Sequence, residues 1–221
     1  MRQCFANVPR VKPQMGAMMS TMCRLRSSYL TAGLVLLACA LSGMGFGVST
    51  VDVHKVDWAN VSIPGSVCGA PHSMRLHKRR AVVTSKRWPS VPRVTVEAGW
   101  NPVVYGNLDG VGQDEAALIV GCSNGGGTAD GFLAYAQVIF TTAGKSLRVI
   151  SVVTPKQAHK ANRLPTLVTV KIRRGKVIAH EAWYGANDGT CCPSGRTTTV
   201  WKYASGKLRP GRPRVTQRPP R

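Results

Sequence analysis

Beyond residue 90 the chain alternates apolar and polar residues in short runs that glycines separate. A period of two predicts β-strands with one buried face, because successive side chains of a strand point to opposite sides. No segment carries a helical stripe of more than about two turns. The predicted strands are Arg93–Glu97, Pro102–Tyr105, Glu115–Gly121, Phe132–Thr141, Leu147–Thr154, Thr166–Arg173, Lys176–Trp183, Thr198–Tyr203 and Lys207–Leu208.

Three pairs of predicted strands are joined by short turns with the sequences TAGKS, RRGK and ASGK. Glycine supplies the positive φ that tight hairpin turns need. If Arg174–Gly175 is the turn of the second hairpin, Ile172 faces Val177. Val170 then faces Ala179 on the same side of the sheet. We therefore predict a mainly β domain, arranged as an antiparallel meander or a small sandwich-like sheet.

The first 50 residues predict export. Arg24 and Arg26 precede a stretch from Ser27 to Val51 that carries no charge. This is the order of a signal peptide, while a stretch of about 20 apolar residues is also long enough to anchor the chain in a membrane. A third possibility is a lipoprotein signal ending at Cys39. In each case the domain at residues 51–208 leaves the cytoplasm and is secreted or extracytoplasmic.

Four cysteines follow the predicted signal: Cys68, Cys122, Cys191 and Cys192. Four cysteines outside the cytoplasm predict two disulfides, for which three pairings exist. A bridge between two adjacent cysteines strains the peptide bond between them. We therefore expect Cys68 and Cys122 each to pair with one member of the Cys191–Cys192 segment. Zinc is the alternative, but CxxC spacing is missing.

The chain is strongly basic, with a formal net charge of +21. Such a charge attracts polyanions, including nucleic acid, anionic cell-envelope polymers and lipid head groups. A solvated surface without a ligand is the alternative interpretation. Residues 209–221 form a basic, proline-rich tail that we predict to be disordered. The candidate polyanion contacts are Lys78, Arg79, Arg80, Arg173, Arg174, Arg209, Arg212 and Arg214.

The segment YGNLDGVGQDEA resembles a calcium loop, with oxygen-bearing residues at alternate positions. The candidate ligands are Asn107, Asp109, Gln113 and Glu115. Val111 stands where a third carboxylate is expected, and calcium needs about six to eight oxygens. We therefore favour a tight turn without metal, whose acids cap backbone N–H groups, and we expect no cofactor.

One motif suggests catalysis. The sequence GCSNG matches the G-x-S-x-G elbow of serine hydrolases, with Ser123 as the nucleophile. The elbow requires a helix after the serine, and GGTADG is a poor helix start. We therefore expect no catalytic residue, and a glycine-rich loop between strands.

Three blocks follow one another in the chain: YGNLDGVGQDEAALIVGC, the double cysteine of DGTCCPSG, and the aromatic hairpin TTVWKYASGKL. This order resembles exported actinobacterial proteins of unknown function with an acidic D-G-x-G-type turn and a Cys-Cys segment. It is also distantly similar to the LppP/LprE-type lipoproteins and to the acidic turns of FG-GAP repeats. The resemblance implies a small secreted or surface-attached β domain and implies no activity. The chain departs from the pattern at Asn107 and Val111.

Three hypotheses follow for function. The first is a non-catalytic β domain, secreted or associated with the cell envelope and held by two disulfides. The second is a secreted module that binds polyanions, either a cell-wall polymer or nucleic acid. The third, from the enzyme class, is a serine hydrolase that uses Ser123.

Overall fold

The computed structural model describes residues 51–126, 131–157 and 164–219. Residues 1–50, which carry the predicted signal peptide or anchor, and residues 220–221 of the tail lie outside these ranges. Within the ranges, no helix combines the length and the apolar character needed to cross a membrane. The strands are β1 (Ser62–Ile63), β2 (Met74–Arg75), β3 (Arg80–Val83), β4 (Val94–Ala98), β5 (Val104–Gly106), β6 (Glu115–Ser123), β7 (Phe132–Ala143), β8 (Ser146–Val153), β9 (Thr166–Arg173), β10 (Lys176–Trp183), β11 (Gly195–Ala204), β12 (Lys207–Pro210) and β13 (Arg214–Gln217).

Two larger antiparallel sheets and one small one contain all of these strands. The six-stranded sheet has the order β3-β4-β6-β7-β8, with β5 also paired to β6. The five-stranded sheet has the order β12-β11-β10-β9, with β13 also paired to β11, and β1 pairs with β2. The predicted mainly β, antiparallel fold is confirmed.

The predicted hairpin register is confirmed as well. Ile172 pairs with Val177, and Val170 pairs with Ala179. The glycine of each predicted hairpin turn has a positive φ, for example 73° at Gly175. The alternation of apolar and polar residues and one glycine per turn were sufficient to predict this register, because the paired strands are neighbours in the chain.

The core lies on both faces of the six-stranded sheet. Ile119 of β6 and Ile139 of β7 are buried against Ile172, Val177 and Trp201 of the five-stranded sheet. Burial of one such side chain contributes about 1.5–3 kcal/mol. The two sheets therefore form a sandwich.

The opposite face of the six-stranded sheet is covered by the N-terminal part of the domain. Leu118 and Val120 of β6 pack there with Ile63 and Leu76. All nine residues of β6 are buried in consequence. A strand that is covered on both faces carries an apolar run rather than an alternation, as ALIV in β6 does.

The predicted disulfide pairing was wrong. Cys68 is bonded to Cys122, and Cys191 is bonded to its neighbour Cys192. Cys122 on β6 faces the N-terminal layer, where the 3₁₀ turn Gly65–Cys68 places Cys68 beside it, and both are fully buried. The Cys191–Cys192 segment lies in the exposed loop between β10 and β11 of the other sheet. The fold thus separates the two pairs.

The predicted disorder of the tail was wrong for its described part. Arg209 and Pro210 belong to β12, and Arg214–Gln217 forms β13. β12 pairs only with the second half of β11, from Trp201 onward. Without β13, the backbone N–H and C=O groups of β11 at Arg196–Thr198 would have no strand partner on this side. β13 pairs with this part of β11.

Candidate functional site

Four basic residues form a row across four neighbouring strands. Arg173 of β9 pairs with Lys176 of β10, and Lys176 pairs with Lys202 of β11. Lys202 in turn pairs with Arg209 of β12. Residues directly opposite each other in antiparallel strands extend to the same side of the sheet. These four exposed side chains, which we call the basic row, therefore share one face.

This face is turned away from the core of the sandwich. Val177 and Trp201 are the sequence neighbours of Lys176 and Lys202, and both are buried between the sheets. Side chains alternate along a strand, so the two lysines point outward. Lys171 lies two residues before Arg173 and adds a further cation to this outer face.

A second row crosses the same face four residues away from the basic row along β9, β10 and β11. His180 of β10 is opposite Thr169 and Thr198, and Thr198 is opposite Arg214 of β13. Thr198 Oγ1 and His180 Nδ1 are 3.4 Å apart. Burial, and secondarily the charge of Lys171, lowers the pKa of His180. The imidazole is therefore mainly neutral at pH 7, and the cations are the permanent charges of the outer face.

No acidic residue of strands β9–β13 points to the outer face. Glu181 is the one acidic residue in these five strands, and it is buried between the sheets with no exposed surface. The ion pairs of the described residues are His54–Asp114, Lys55–Asp52 and Arg80–Glu97. None of them contains Arg173, Lys176, Lys202 or Arg209, so no ion pair between described residues compensates the charge of the basic row.

The spacing of the basic row suits a polymer with closely repeated negative charges. Neighbouring strands lie about 4.8 Å apart, so the four cations span about 14 Å. Like charges directly opposite each other destabilise a sheet by up to about 1 kcal/mol per pair. A bound polyanion removes this repulsion, because it places negative charge between the cations.

The structure brings together only part of the predicted polyanion contacts. Arg173, Arg209 and Arg214 share the outer face. Arg174 does not: a Cβ atom built on Gly110 would lie 2.5 Å from Arg174 Nε, so this side chain covers the acidic turn. Arg212 is exposed in the connection between β12 and β13.

The remaining predicted contacts, Lys78, Arg79 and Arg80, lie at the edge of the other sheet. Arg80 begins β3 and forms an ion pair of 2.9 Å with Glu97. Arg79 Nη1 donates to the carbonyl oxygen of Gly99 at 2.9 Å. Two of these three side chains therefore already have partners.

Sequence reasoning missed Lys176 and Lys202 of the basic row. The hairpin turns RRGK and ASGK predict the pairs Arg173–Lys176 and Lys202–Arg209 by counting outward from each turn. The pairing of Lys176 with Lys202 depends on the register of β10 and β11, which a loop of 11 residues joins. A loop of that length sets no register.

Glu181 is a second residue that sequence reasoning missed. Its Oε2 accepts the backbone N–H groups of Lys156 and Gln157 at 2.9 and 2.8 Å, and its Oε1 accepts the Thr199 hydroxyl at 2.6 Å. Three donors compensate the burial of the carboxylate. Lys156 Nζ lies 5.0 Å from the centre of the Trp201 ring. Glu181 thus ties the segment after β8 to the five-stranded sheet.

The acidic turn uses its side chains for its own backbone. Asn107 Oδ1 accepts the N–H of Gly110 at 2.5 Å, and Asp109 Oδ1 accepts the N–H of Val111 at 2.8 Å. Gln113 is exposed. The bond of Asp109 is the one an Asx turn makes, and that of Asn107 reaches one residue further.

Glu115, the fourth calcium candidate, is buried and accepts hydrogen bonds from neighbouring groups of the protein. It is 2% exposed, its Oε2 accepts the N–H of Leu108 at 2.6 Å, and its Oε1 accepts the Thr141 hydroxyl at 3.1 Å. Burial raises the pKa of Glu115, against the effect of the Leu108 hydrogen bond. Among the described residues, no group of three or more His, Cys, Asp or Glu side chains is arranged to hold a metal ion.

Ser123 ends β6 and is buried. Its Oγ accepts the backbone N–H of Gly125 at 3.4 Å, and its neighbour Cys122 is in a disulfide. His180 belongs to the other sheet and lies beside Thr198. Asp188 accepts N–H and O–H groups of Gly185 and Ser194, and so orders its own loop.

No protein-family model matches this chain, and neither does any curated protein or solved structure. The Cys68–Cys122 disulfide indicates an oxidising, extracytoplasmic setting.

Proposed function

We propose that this protein is a non-catalytic, secreted or envelope-associated β domain that binds polyanions through the outer face of its five-stranded sheet. The observation that carries the proposal is the basic row, in which Arg173, Lys176, Lys202 and Arg209 are paired side by side without an acid among them. We also propose that the protein is distantly related to the LppP/LprE-like exported proteins.

The ligand that fits best is an anionic cell-envelope polymer. Proteins that bind single-stranded nucleic acid usually add aromatic side chains on which bases stack. The aromatic residues of β11, Trp201 and Tyr203, pack against the core instead of joining the basic row. The outer face therefore offers charge without stacking, which favours a phosphate- or carboxylate-bearing polymer over nucleic acid.

Binding of this kind depends on salt, because each neutralised phosphate releases condensed counterions. With four contacts to a flexible chain, log K should fall against log salt with a slope of about −3, from about −0.7 per contact.

The test measures binding of a labelled inorganic polyphosphate chain by fluorescence anisotropy at increasing salt. The variant R173Q/K176Q/K202Q/R209Q removes the basic row. The matched control R75Q/K86Q/K145Q/R148Q removes four charges from exposed residues outside the five-stranded sheet. We expect the first variant to lose binding and salt dependence, and the control to keep most of both.

Equal losses in the two variants would show that overall charge, rather than the basic row, attracts the polymer. A parallel titration with an oligonucleotide of equal charge separates the two ligand classes. Tighter binding of the oligonucleotide would contradict the envelope polymer as the ligand and would favour nucleic acid instead.

A further inference from the structure

A left-handed turn stands at the edge of the six-stranded sheet. Lys78 and Arg79 have φ angles of 51° and 69°, values that favour glycine. They are the two central residues of a tight hairpin, since His77 and Arg80 exchange backbone hydrogen bonds of 2.8 and 3.0 Å. Two consecutive residues of this kind are usually Asn-Gly. Backbone strain of this kind clusters at functional sites, which points to the side chains of Lys78 and Arg79.

The surrounding structure holds this turn in place. Arg79 N–H donates to Ala59 O at 2.8 Å, and Arg79 O accepts from Ala98 N–H at 3.0 Å. Lys78 N–H donates to Asn60 Oδ1 at 3.2 Å. The guanidinium of Arg79 is then fixed by its hydrogen bond to Gly99 O.

The Arg79 side chain forms part of the wall of a cleft of about 260 Å³, which Trp58, Trp100 and Asn101 also line. Trp100 is 44% exposed, although Tyr135 contacts its ring edge-to-face with the centroids 6.2 Å apart. An indole that is held by a neighbour yet open to solvent presents a preformed apolar surface. The cleft thus combines a cation and an aromatic face.

The polar atoms of the lining are partly committed to the fold. Trp58 Nε1 donates to the Tyr105 hydroxyl at 3.0 Å, so Trp58 offers only its ring. Asn101 Nδ2 donates to Val168 O at 2.9 Å, which leaves its Oδ1 to accept from a ligand. A guanidinium carries five N–H donors, and Arg79 uses Nη1 for Gly99.

We propose that this cleft binds a single acidic sugar ring, a pyranose that carries a carboxylate. The Arg79 guanidinium matches a carboxylate in shape and charge. The face of Trp100 packs against the C–H face of the ring, and Asn101 Oδ1 accepts a hydroxyl. The volume is below the roughly 300–1,000 Å³ of sites for larger ligands, so one ring fits better than a nucleotide with its base, ribose and phosphate. The cleft belongs to the six-stranded sheet, so the proposal is independent of the basic row.

The experiment titrates the oxidised protein with glucuronate, glucose and AMP, and follows tryptophan fluorescence and the indole N–H signals in NMR spectra. We expect glucuronate to shift the Trp100 signal and to bind at least about tenfold more tightly than glucose. No binding of glucuronate, or equal binding of glucose, would overturn the proposal. Tighter binding of AMP would do so as well, since it would identify the cleft as a nucleotide site.

Two glycine variants separate ligand recognition from backbone strain. R79G removes the guanidinium and keeps a residue that accepts positive φ, while K78G relieves the same strain at a side chain that does not line the cleft. We expect R79G and W100A to lose binding at least about tenfold, and K78G to bind like the unaltered protein. Binding of glucuronate that survives in R79G would contradict the role of Arg79. If R79G unfolds, R79Q replaces it as the test of the guanidinium.

Discussion

Lys176 and Lys202 stand directly opposite each other on β10 and β11, and Arg173 and Arg209 continue the row on either side. Three neighbouring pairs of like charge therefore lie on one side of the sheet. The fold retains this repulsion although a neutral side chain at any of the four positions would reduce it.

We predict that K176E stabilises the folded domain at low salt. The new carboxylate is flanked by Arg173 and Lys202, so two repulsive pairs become attractive, with a gain of about 0.5–1 kcal/mol. Urea unfolding at low and at high salt measures the effect, which should shrink as salt screens the charges. The control is K145E, in the exposed turn between β7 and β8. A destabilised K176E would show that the row is not repulsive.

We predict very different effects for the two disulfides. Cys68 and Cys122 are 54 positions apart, and a loop of this length corresponds to about 4 kcal/mol of stabilisation in the chain-entropy model. Cys191–Cys192 closes a ring within two residues and constrains the unfolded chain very little. Urea unfolding of C68A/C122A and of C191S/C192S, each compared with the unaltered protein without a reducing agent, measures the contribution of each disulfide. Equal losses of stability would refute this account.

Glu115 should give the stability of the domain a characteristic pH dependence. Because burial raises the pKa of Glu115 above its ordinary value of 4.5, the folded state binds this proton more tightly than the unfolded state does. Its contribution is full below the unfolded pKa and is lost as the pH rises through the folded pKa. The difference in unfolding free energy between the unaltered protein and E115Q should therefore fall as the pH rises above the ordinary value of 4.5.

The opposite sign is expected at Asp57, whose pKa is lowered by the hydrogen bonds from Asn60 and Ala59. The stabilisation by Asp57 is present above the unfolded pKa and is lost as the pH falls. D57N thus serves as the control in the same urea titrations. If the stability difference for E115Q does not change with pH, or changes in the same direction as that for D57N, the raised pKa of Glu115 is contradicted.

We predict that E181Q destabilises the domain by about 1–3 kcal/mol, the cost of leaving buried groups without partners. An amide nitrogen cannot accept the N–H groups or the hydroxyl that Glu181 now accepts. Chemical denaturation gives the loss of stability, and hydrogen exchange should accelerate at the amides of Lys156 and Gln157. Exchange as slow as in the unaltered protein would mean that Glu181 does not hold this segment.

The strand positions follow from local information. Thr166–Arg173 and Lys176–Trp183 have the predicted limits, and the other seven predicted strands differ by a few residues at their ends. Strands β2, β3 and β13 were not predicted. Alternation and a turn glycine act between residues that are close in the chain, so a single sequence contains the required information. The roles of Asn107 and Asp109 in the acidic turn are also local, since the side chain of each accepts an N–H group two or three residues away.

Apart from the Cys191–Cys192 bond, the errors concern residues that are distant in the chain. The partner of Cys122 depends on which segment covers β6, and the role of the tail depends on the open edge of β11. Glu181 is another example, because its partners Lys156 and Thr199 come from different parts of the chain. Each of these needs the packing of several elements, which alternation does not encode.

The sequence by itself determined a mainly β domain, the register of its hairpins and a large excess of positive charge, because these depend on neighbouring residues and on composition. The tertiary structure decided which cysteines meet and that the tail completes a sheet. It also sorted the charges: Arg173, Lys176, Lys202 and Arg209 came to one outer face, and Arg79 came to a cleft beside Trp100. Charged side chains bind a ligand only when they are grouped on one surface. Pairing between strands that are distant in the chain determines which residues share that surface.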